Sequence, residues 1–319
     1  EDGTVKIDNS KCISCGACVY QCPFGALSDK SFILDAIKML KNCDRVYAVV
    51  APAIVSQFTY AKPGQVITAI KALGFCDVLE AALGADMVAY NEAAELAERG
   101  FLTSSCCPAF VSYIRKSFPE LQENISHNMS PMATIAKRIK EKDPEAKTVF
   151  IGPCTAKKGE FQLPEVHKYV DCVLTFEELQ AMFDSRELDV GAMEETVLNN
   201  ASGYGRIFAH CGGLAEAAAE ALKEQGIDFE LKPLSCNGIE ECKLALMKAA
   251  RGKLDANFVE GMACVGGCVN GAGCMTHNER NRVKVDAHSQ QAQLKSITDS
   301  LLYAAEIDRE LKEKAGDKV

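Results

Sequence analysis

The chain has 319 residues, of which 48 % are hydrophobic and 25 % are charged, and its formal net charge is −9. Such a composition is ordinary for a folded protein with one large domain or two lobes. The net negative charge argues against nucleic acid as the main partner. No stretch reaches the about 18 consecutive apolar residues that a membrane span needs, so no span is predicted.

Cysteine is the unusual component, with 16 residues in the chain. A chain of this length does not need disulfides to fold, and no signal-peptide pattern is visible at its beginning. Ten of the cysteines fall in clusters beside Gly or Pro at spacings typical of metal sites. We therefore expect a reduced, metal-loaded protein in the cytoplasm.

The first element along the chain is the segment "CISCGACVYQCP", which places Cys12, Cys15, Cys18 and Cys22 in a C-x2-C-x2-C-x3-C-P run. This spacing predicts an accessory 4Fe–4S cluster, because soft thiolates hold the cubane. A zinc site fits poorly, since only two residues separate the second and third thiols. In two-cluster modules the fourth cysteine ligates the other cluster, so Cys22 either closes this cluster, as we expect, or serves one upstream.

From Asp44 onward, hydrophobic patterns typical of strands and helices alternate. Strands are predicted over "RVYAVVAPAI", "GFLTSSC" and "KTVFIGPC", and helices over "GQVITAIKALGF", Val78–Arg99, "PAFVSYIRKSF" and "SPMATIAKRIKEK". Ser130 is placed to cap the last of these helices. The segment "YGRIFAHCGGLAEAAAEALKEQG" predicts a strand, a glycine turn and a helix, and residues 291–314 predict an amphipathic helix.

This alternation predicts an α/β fold with a two-lobed body of parallel sheets flanked by helices and the active site between the lobes. We expect a ferredoxin-like 4Fe–4S module over residues 1–40, either complete or shortened at its N-terminus, and the main domain over residues 41–319. Cys107 and Cys154 both follow predicted strands. They should therefore lie at the carboxyl ends of strands, where such folds bind ligands.

Three further cysteine motifs and a glutamate pair carry the chemistry. They are "TSSCCPAF" (103–110), "IGPCTAKKGE" (151–160), "EGMACVGGCVNGAG" (260–273) and "NEAAEL" (91–96). One thiol from each of the first two motifs and two from the third make four, which is the number that holds a cubane. One thiol of the adjacent pair is then left for another purpose.

With these motifs in this order, the sequence closely resembles the catalytic domain of the FeFe hydrogenases over about residues 44–275. "VAPA", "LGADM" and "IFAHCGGLAEAA" also resemble family segments, and "TSSCCPAF" and "GPCTAKK" resemble the TSCCPAF- and GPCTAKK-type motifs of a lesser-studied branch. The resemblance implies a hydrogenase that reversibly converts two protons and two electrons into H2. It implies an H-cluster, made of a 4Fe–4S cubane and a diiron subcluster with CO, CN⁻ and azadithiolate.

The resemblance also implies ligands for this cofactor. Cys107, Cys154, Cys264 and Cys268 would ligate the cubane, and Cys268 would bridge to the diiron subcluster. Lys157 would donate to a cyanide, although by spacing alone it is equally typical of a solvated lysine beside Lys158. The other predicted cofactor-binding residues are Ala51, Pro52, Gly152 and Met262.

A proton path is implied in the same way. Cys106, the leftover thiol, would pass protons to and from the azadithiolate amine. Glu92, Ser126 and Glu95 would lead outward in that order, with Arg99 holding the outer carboxylate. Glu92, Glu95 and Arg99 share one face of a predicted helix, which alone is also typical of a solvated charged stripe.

Partners follow from this assignment. Electrons would pass between the accessory cluster and a ferredoxin-like carrier, and hydrogenase maturation proteins would supply the cofactor. Three alternatives remain open from the sequence: a sensory relative with low turnover, a hydrogenase-derived iron–sulfur assembly protein, and a two-cubane electron carrier.

Overall fold

The structure is a computed structural model that describes residues 4–305. Seven strands in these residues form two sheets, and every strand pair in both sheets is parallel. The strands are β1 (Val46–Val50), β2 (Asp77–Glu80), β3 (Leu102–Thr103), β4 (Lys147–Gly152), β5 (Cys172–Thr175), β6 (Pro233–Asn237) and β7 (Phe258–Met262).

The described α-helices, in chain order, surround these sheets. They are α1 (Ala17–Tyr20), α2 (Ile33–Asn42), α3 (Pro63–Ala72), α4 (Ala81–Arg99), α5 (Pro108–Ser117), α6 (Pro131–Lys142), α7 (Ala156–Glu160), α8 (Pro164–His167), α9 (Phe176–Ser185), α10 (Gly203–Ile207), α11 (Gly213–Glu224), α12 (Ile239–Ala249) and α13 (Arg280–Gln290). Residues 297–305 are also helical, and the rest of the helix predicted over 291–314 lies outside the described residues.

The first sheet has the strand order β2-β1-β4-β5 and forms the larger lobe. Strands β1, β4 and β5 are mostly apolar and almost entirely buried, as expected when helices cover both faces of a parallel sheet, whereas the edge strand β2 is partly exposed. The second sheet has the order β3-β7-β6 and belongs to the other lobe. The predicted α/β fold of parallel sheets flanked by helices is therefore confirmed.

Two predicted elements are wrong in type or position. The segment around "YGRIFAH" forms α10 and not a strand, because Ser202 caps it, with its hydroxyl accepting from the Gly205 N–H at 3.2 Å. The helix predicted from Val78 begins only at Ala81. Residues 77–80 pair with β1 as an edge strand, so pairing with the sheet prevails over helical spacing there.

A buried ion pair fixes α10 against the start of α4, behind the region where the cysteine loops meet. Arg206 Nε and Nη2 each donate to the Glu80 carboxylate at 2.8 Å, and Arg206 also donates to the carbonyls of Leu198 and His288. The two charged side chains are 1 % and 6 % exposed. A buried charge left without its partner is strongly destabilising.

We predict that Arg206→Met lowers the free energy of unfolding by about 3–5 kcal/mol, because it leaves the Glu80 carboxylate buried and unpaired. The measurement is urea unfolding of anaerobic protein, compared at equal iron content. Lys223→Met is the matched control, because it breaks the Lys223–Glu220 pair, in which the lysine is 77 % exposed. The control should leave the free energy of unfolding close to that of the wild type, because solvent screens an exposed ion pair. Equal losses in the two variants would contradict the prediction.

Candidate metal centre

The four predicted ligand thiols follow strand ends that meet between the lobes. Cys107 is the N-cap of α5 after β3, and Cys154 comes two residues after β4. Cys264 and Cys268 lie in the loop after β7, where Gly266 and Gly267 have φ angles of 87° and 91°. At Gly267 a Cβ would lie 2.7 Å from the Cys211 nitrogen, so only glycine lets the loop turn this closely.

These four thiols and Cys106 line one cavity with a volume of about 90 Å³. The cavity offers little polar surface apart from its thiols and Lys157. Most of its remaining wall is small or apolar and includes Ala51, Pro52, Ala53, Met132, Phe208 and Met262. A dry wall of this kind keeps water from a reactive centre.

The thiols fit a polynuclear iron–sulfur centre better than a single ion. Among residues 4–305, no three Cys, His, Asp or Glu side chains are close enough to hold one metal ion. A cubane needs no such convergence, because each of its irons takes its own thiolate. Burial, with the neighbouring Cys107, raises the pKa of Cys154 to about 11. Bound iron supplies the positive charge that such a thiol needs to ionise.

Lys157 is 8 % exposed and lines the cavity, so it is not a solvated lysine. Its ammonium donates to Glu160 Oε2 at 2.6 Å and to the Cys106 carbonyl at 3.3 Å. Although burial opposes it, Glu160 raises the pKa of Lys157, so the group is cationic. An ammonium has three N–H donors, and the third remains for an anionic group in the cavity.

Gly152 is the predicted cofactor-binding residue that the structure places outside the cavity wall. A Cβ at this position would lie 2.6 Å from the Phe150 ring and 3.1 Å from Ala51 Cβ. Phe150 therefore occupies the space beside Gly152 and lines the cavity in its place. The absence of a side chain at residue 152 makes room for this ring.

Cys106 lines the same cavity as its neighbour Cys107. Cys107 is the N-cap residue of α5, whereas Cys106 precedes the helix. Burial, and then the charges of Cys107 and Glu92, raise the pKa of the Cys106 thiol well above its ordinary value. The thiol is thus neutral and keeps its proton unless a base accepts it.

Glu92 is 1 % exposed on α4, and neither of its carboxylate oxygens has a hydrogen-bond partner among the described residues. Burial raises its pKa from 4.5 to about 8, with the nearby Ser126 hydroxyl opposing the rise and Glu95 adding to it. Ser126 donates its hydrogen bond to Glu95 Oε2 at 3.0 Å. A buried carboxyl that titrates near neutral pH suits proton transfer.

Glu95 is the outer carboxylate, and four groups hold it. Its oxygens accept from Arg99 Nη1 at 3.0 Å, from Ser126 Oγ at 3.0 Å and from Asn128 Nδ2 at 2.9 Å. The His127 backbone N–H lies 3.1 and 3.2 Å from the two oxygens. Although partial burial opposes it, these donors lower the pKa of Glu95. The two glutamates are therefore tuned in opposite directions.

The cysteine-rich N-terminal segment packs directly on the loops of the centre. Cys15 lines the central cavity beside Cys264 and Cys154. At Gly16, whose φ is 75°, a Cβ would lie 2.4 Å from Thr155 Oγ1 and 2.5 Å from Ala272 Cβ. Only glycine allows this contact, which brings a cluster bound by this segment next to the central cavity.

Backbone donors prepare this segment for thiolate ligands. The Ser14 N–H donates to Cys12 Sγ at 3.4 Å. N–H groups of Phe24 and Ala26 lower the pKa of the Cys22 thiol, which favours the thiolate that binds iron. Lys116 ties the loop to α5, because its ammonium donates to the carbonyls of Asn9 and Cys12.

Several residues at the site were missed from the sequence. Glu160 pairs with Lys157 three positions earlier on α7, and that spacing could have revealed it. Glu260 is fully buried and accepts from the N–H groups of Gly212 and Ala215, which anchors α11 to β7. Asn128 and His127 join the Glu95 network only through the tertiary fold, so no sequence pattern could have identified them.

Comparison with known protein families identifies the family to which this chain belongs. A profile for the iron only hydrogenase large subunit, C-terminal domain, matches residues 44–272, and one for a 4Fe-4S binding domain matches residues 5–28. The chain belongs to the iron-only hydrogenase family. The resemblance seen in the sequence is thereby confirmed, and the family and its 4Fe-4S domain support iron–sulfur clusters at these thiols.

Individual relatives agree with this assignment. Iron hydrogenase 1 of Clostridium pasteurianum is 30 % identical over 339 residues, which cover 88 % of this chain and 58 % of that protein. The chain therefore spans little more than half the length of this relative. The cytosolic Fe-S cluster assembly factor NAR1 of Kluyveromyces lactis is 38 % identical over 90 residues, which cover 28 % of this chain and 19 % of that protein.

Solved structures show the same fold. A variant of the FeFe hydrogenase HydA1 from Chlamydomonas reinhardtii aligns with a TM-score of 0.69 at 21 % identity, covering 85 % of this chain and 92 % of that one.

None of the helices among residues 4–305 has the length and apolar character needed to cross a membrane.

We predict that Glu92→Gln removes a pH dependence from the stability of this family member. Between pH 4.5 and about 8 the folded protein binds one proton more than the unfolded chain at Glu92, so ionisation costs stability as the pH rises. Relative to the variant, the wild type should lose about 1.4 kcal/mol of unfolding free energy per pH unit in this window. Urea unfolding at several pH values measures this slope.

The exposed Glu98 on the same helix provides the control for this experiment. Glu98→Gln should leave the pH dependence of the wild type in place. Parallel pH profiles for the wild type and Glu92→Gln would show that Glu92 ionises normally in the folded protein.

Proposed function

We propose that this chain is an FeFe hydrogenase that reversibly converts two protons and two electrons into H2 at an H-cluster. The observation that carries the proposal is one apolar cavity lined by six thiols, five of them from the main domain and one, Cys15, from the N-terminal segment, with a cationic lysine in its wall. Cys107, Cys154, Cys264 and Cys268 would hold the cubane. The bound cofactor would supply the redox chemistry and the site at which hydrogen is bound.

The side chains around the cavity would then orient and shield this cofactor. The third N–H of Lys157 would donate to one of its anionic ligands, and Glu160 holds the ammonium in place for that contact. Ala51, Pro52 and Met262 would pack against it and exclude water. Ala53 offers no hydroxyl to a cyanide, so Lys157 would have a larger share in holding the anionic ligands.

Protons would pass through residues of this chain in a fixed order. Cys106 would exchange a proton with the buried Glu92 through a water. Ser126 connects Glu92 to Glu95, because its hydroxyl donates to Glu95 Oε2 at 3.0 Å and is close enough to Glu92 to act on the pKa of that carboxyl. Support for this order is the complete burial of Glu92 and the partial exposure of Glu95, whose side chain is 14 % exposed.

Electrons would enter through an accessory 4Fe–4S cluster on Cys12, Cys15, Cys18 and Cys22. The contact of Gly16 with Thr155 and Ala272 supports this route, since it brings the N-terminal segment against the loops that carry Cys154 and Cys268. A ferredoxin-like carrier would be the external partner, and maturation proteins would insert the diiron subcluster. Free thiols at all these positions suit the reducing cytoplasm.

An iron–sulfur assembly protein is the second candidate, because NAR1 is 38 % identical over 90 residues. Such a protein needs no CO- or CN⁻-bearing subcluster and no proton relay. Infrared bands of CO and CN⁻ in the matured protein would exclude this candidate. Their absence, together with cubane iron and no H2 turnover, would favour it.

We predict that Cys106→Ala lowers H2 evolution by about 100-fold or more, because it removes the inner proton carrier. Iron content and the infrared spectrum of the matured protein should stay unchanged, since Cys106 holds no iron. The measurements are H2 evolution with a strong reductant and infrared spectroscopy under H2 and CO. Cys172→Ala, a buried thiol on β5 outside the cavity, is the matched control.

Two other results would each contradict part of the proposal. Loss of the infrared bands in Cys106→Ala would mean that this thiol binds the cofactor. A rate in the wild type as low as that of Cys106→Ala would favour a sensory protein with low turnover.

We further predict that Glu95→Gln slows H2 turnover about tenfold at unchanged iron content, because the amide cannot accept a proton. Gln keeps the size of the side chain and its oxygen can still accept from Ser126 or Asn128. Steady-state H2 evolution and oxidation measure the effect, with Glu98→Gln on the same helix as the control. A rate equal to that of the wild type would remove Glu95 from the relay.

A further inference from the structure

His127 stands where the proposed relay reaches solvent. Its side chain is 73 % exposed, yet Nδ1 lies 2.9 Å from Glu95 Oε1. It also lines an open cleft of about 660 Å³, together with Ser126, Asn128 and Glu160. Among residues 4–305, the other histidines that pair with carboxylates are His210, with Asp286, and His288, with Glu80, and neither partner belongs to the relay. An imidazole here has one edge on the outer carboxylate and the other open to water.

The backbone keeps Glu95 in place whatever the imidazole does. The His127 N–H donates to both Glu95 oxygens, and Ser126 and Asn128 donate to Oε2. Removing the imidazole therefore leaves these three donors intact. A loss of rate in a His127 variant would come from the ring and not from a displaced carboxylate.

Two protonation states of the ring have different partners in the same geometry. Arg99 Nη1 lies 3.0 Å from Glu95 Oε1 and 3.3 Å from His127 Nδ1. When Nδ1 carries a proton, it donates to Glu95, and Arg99 binds the carboxylate alone. When Nδ1 is bare, it accepts from Arg99. The guanidinium can thus stabilise the ring after its proton has left.

We propose that His127 exchanges protons between solvent and Glu95, an inference that rests on the proposed hydrogenase function. For H2 evolution, a hydronium ion or a buffer acid transfers a proton to Nε2 and is left as water or as the conjugate base of the buffer. The Nδ1–H bond then breaks as the proton passes to Glu95 Oε1, which leaves a neutral imidazole with its proton on Nε2. The exposed ring turns to take the next proton. Oxidation of H2 runs the same steps in reverse.

Histidine suits this role because its charge ordinarily changes between pH 5 and 8. Glu95 alone is held ionised by its donors, so it needs a neighbour that delivers protons at neutral pH. The charged groups that face His127 are Glu95 and Arg99 on α4, Glu123 on the preceding turn, and, around the cleft, Arg115, Lys116, Glu160 and Glu165.

The test uses the matured full chain with His127→Ala and His127→Gln variants. We expect H2 evolution at pH 7 in weak buffer to fall about tenfold in both, since proton delivery to Glu95 then depends on water. Added imidazole should restore the rate of His127→Ala in proportion to its concentration, because the cleft admits it beside Glu95. The wild-type rate should not depend on imidazole. His167→Ala, an exposed histidine on α8, is the matched control.

Any other result would contradict either the role of His127 or the proposed function. Unchanged rates in both variants, or a loss that imidazole does not restore, would overturn the role of His127. Altered iron content or infrared bands in both variants would mean that the ring acts on the centre and not on proton exchange. A matured wild type that turns over no H2 would overturn the proposed function and this inference together.

Discussion

Burial of negative charge is the constraint on which the rest of the structure depends. The cavity wall is apolar, and burial raises the pKa of the Cys154, Cys264 and Cys268 thiols, which would bind iron. The fold compensates this negative charge with groups arranged in successive layers around the cavity. Iron would ionise the thiols from inside, Lys157 stands in the wall, and Glu160 behind it keeps the ammonium charged. Removing any one layer leaves the next without a partner in a space that water cannot reach.

The two parallel sheets turn this constraint into a geometry. Each sheet sends loops from the carboxyl ends of its strands into the same space, so the thiols come from opposite lobes. A centre held in this way also ties the lobes together. The long helix α4 runs beside it and carries Glu92 inside and Glu95 near the surface, so one rigid element sets the distance between the two glutamates of the proposed relay.

The sequence was sufficient where chemistry is encoded in spacing. The cysteine runs, the Glu92–Glu95–Arg99 face and the strands that precede Cys107 and Cys154 could all be found from local pattern, and the family profile agrees. It was insufficient where tertiary contact prevails. The apolar segment at Tyr204–Phe208 has the composition of a strand, but its cap and the buried Arg206 hold it as a helix. The sequence also does not show that the Phe150 ring occupies the space beside Gly152, because this contact depends on how the strand packs.

The proposed electron route depends on the absence of a side chain at Gly16. A side chain there would collide with Thr155 and Ala272 and would push the N-terminal segment away from the central loops. Electron tunnelling falls exponentially with the gap between redox centres, whereas packing energy changes only gradually. A protein with a larger residue at this position would therefore still fold and bind iron. Electron transfer between its two proposed centres would be slow, and this slow transfer would limit its turnover.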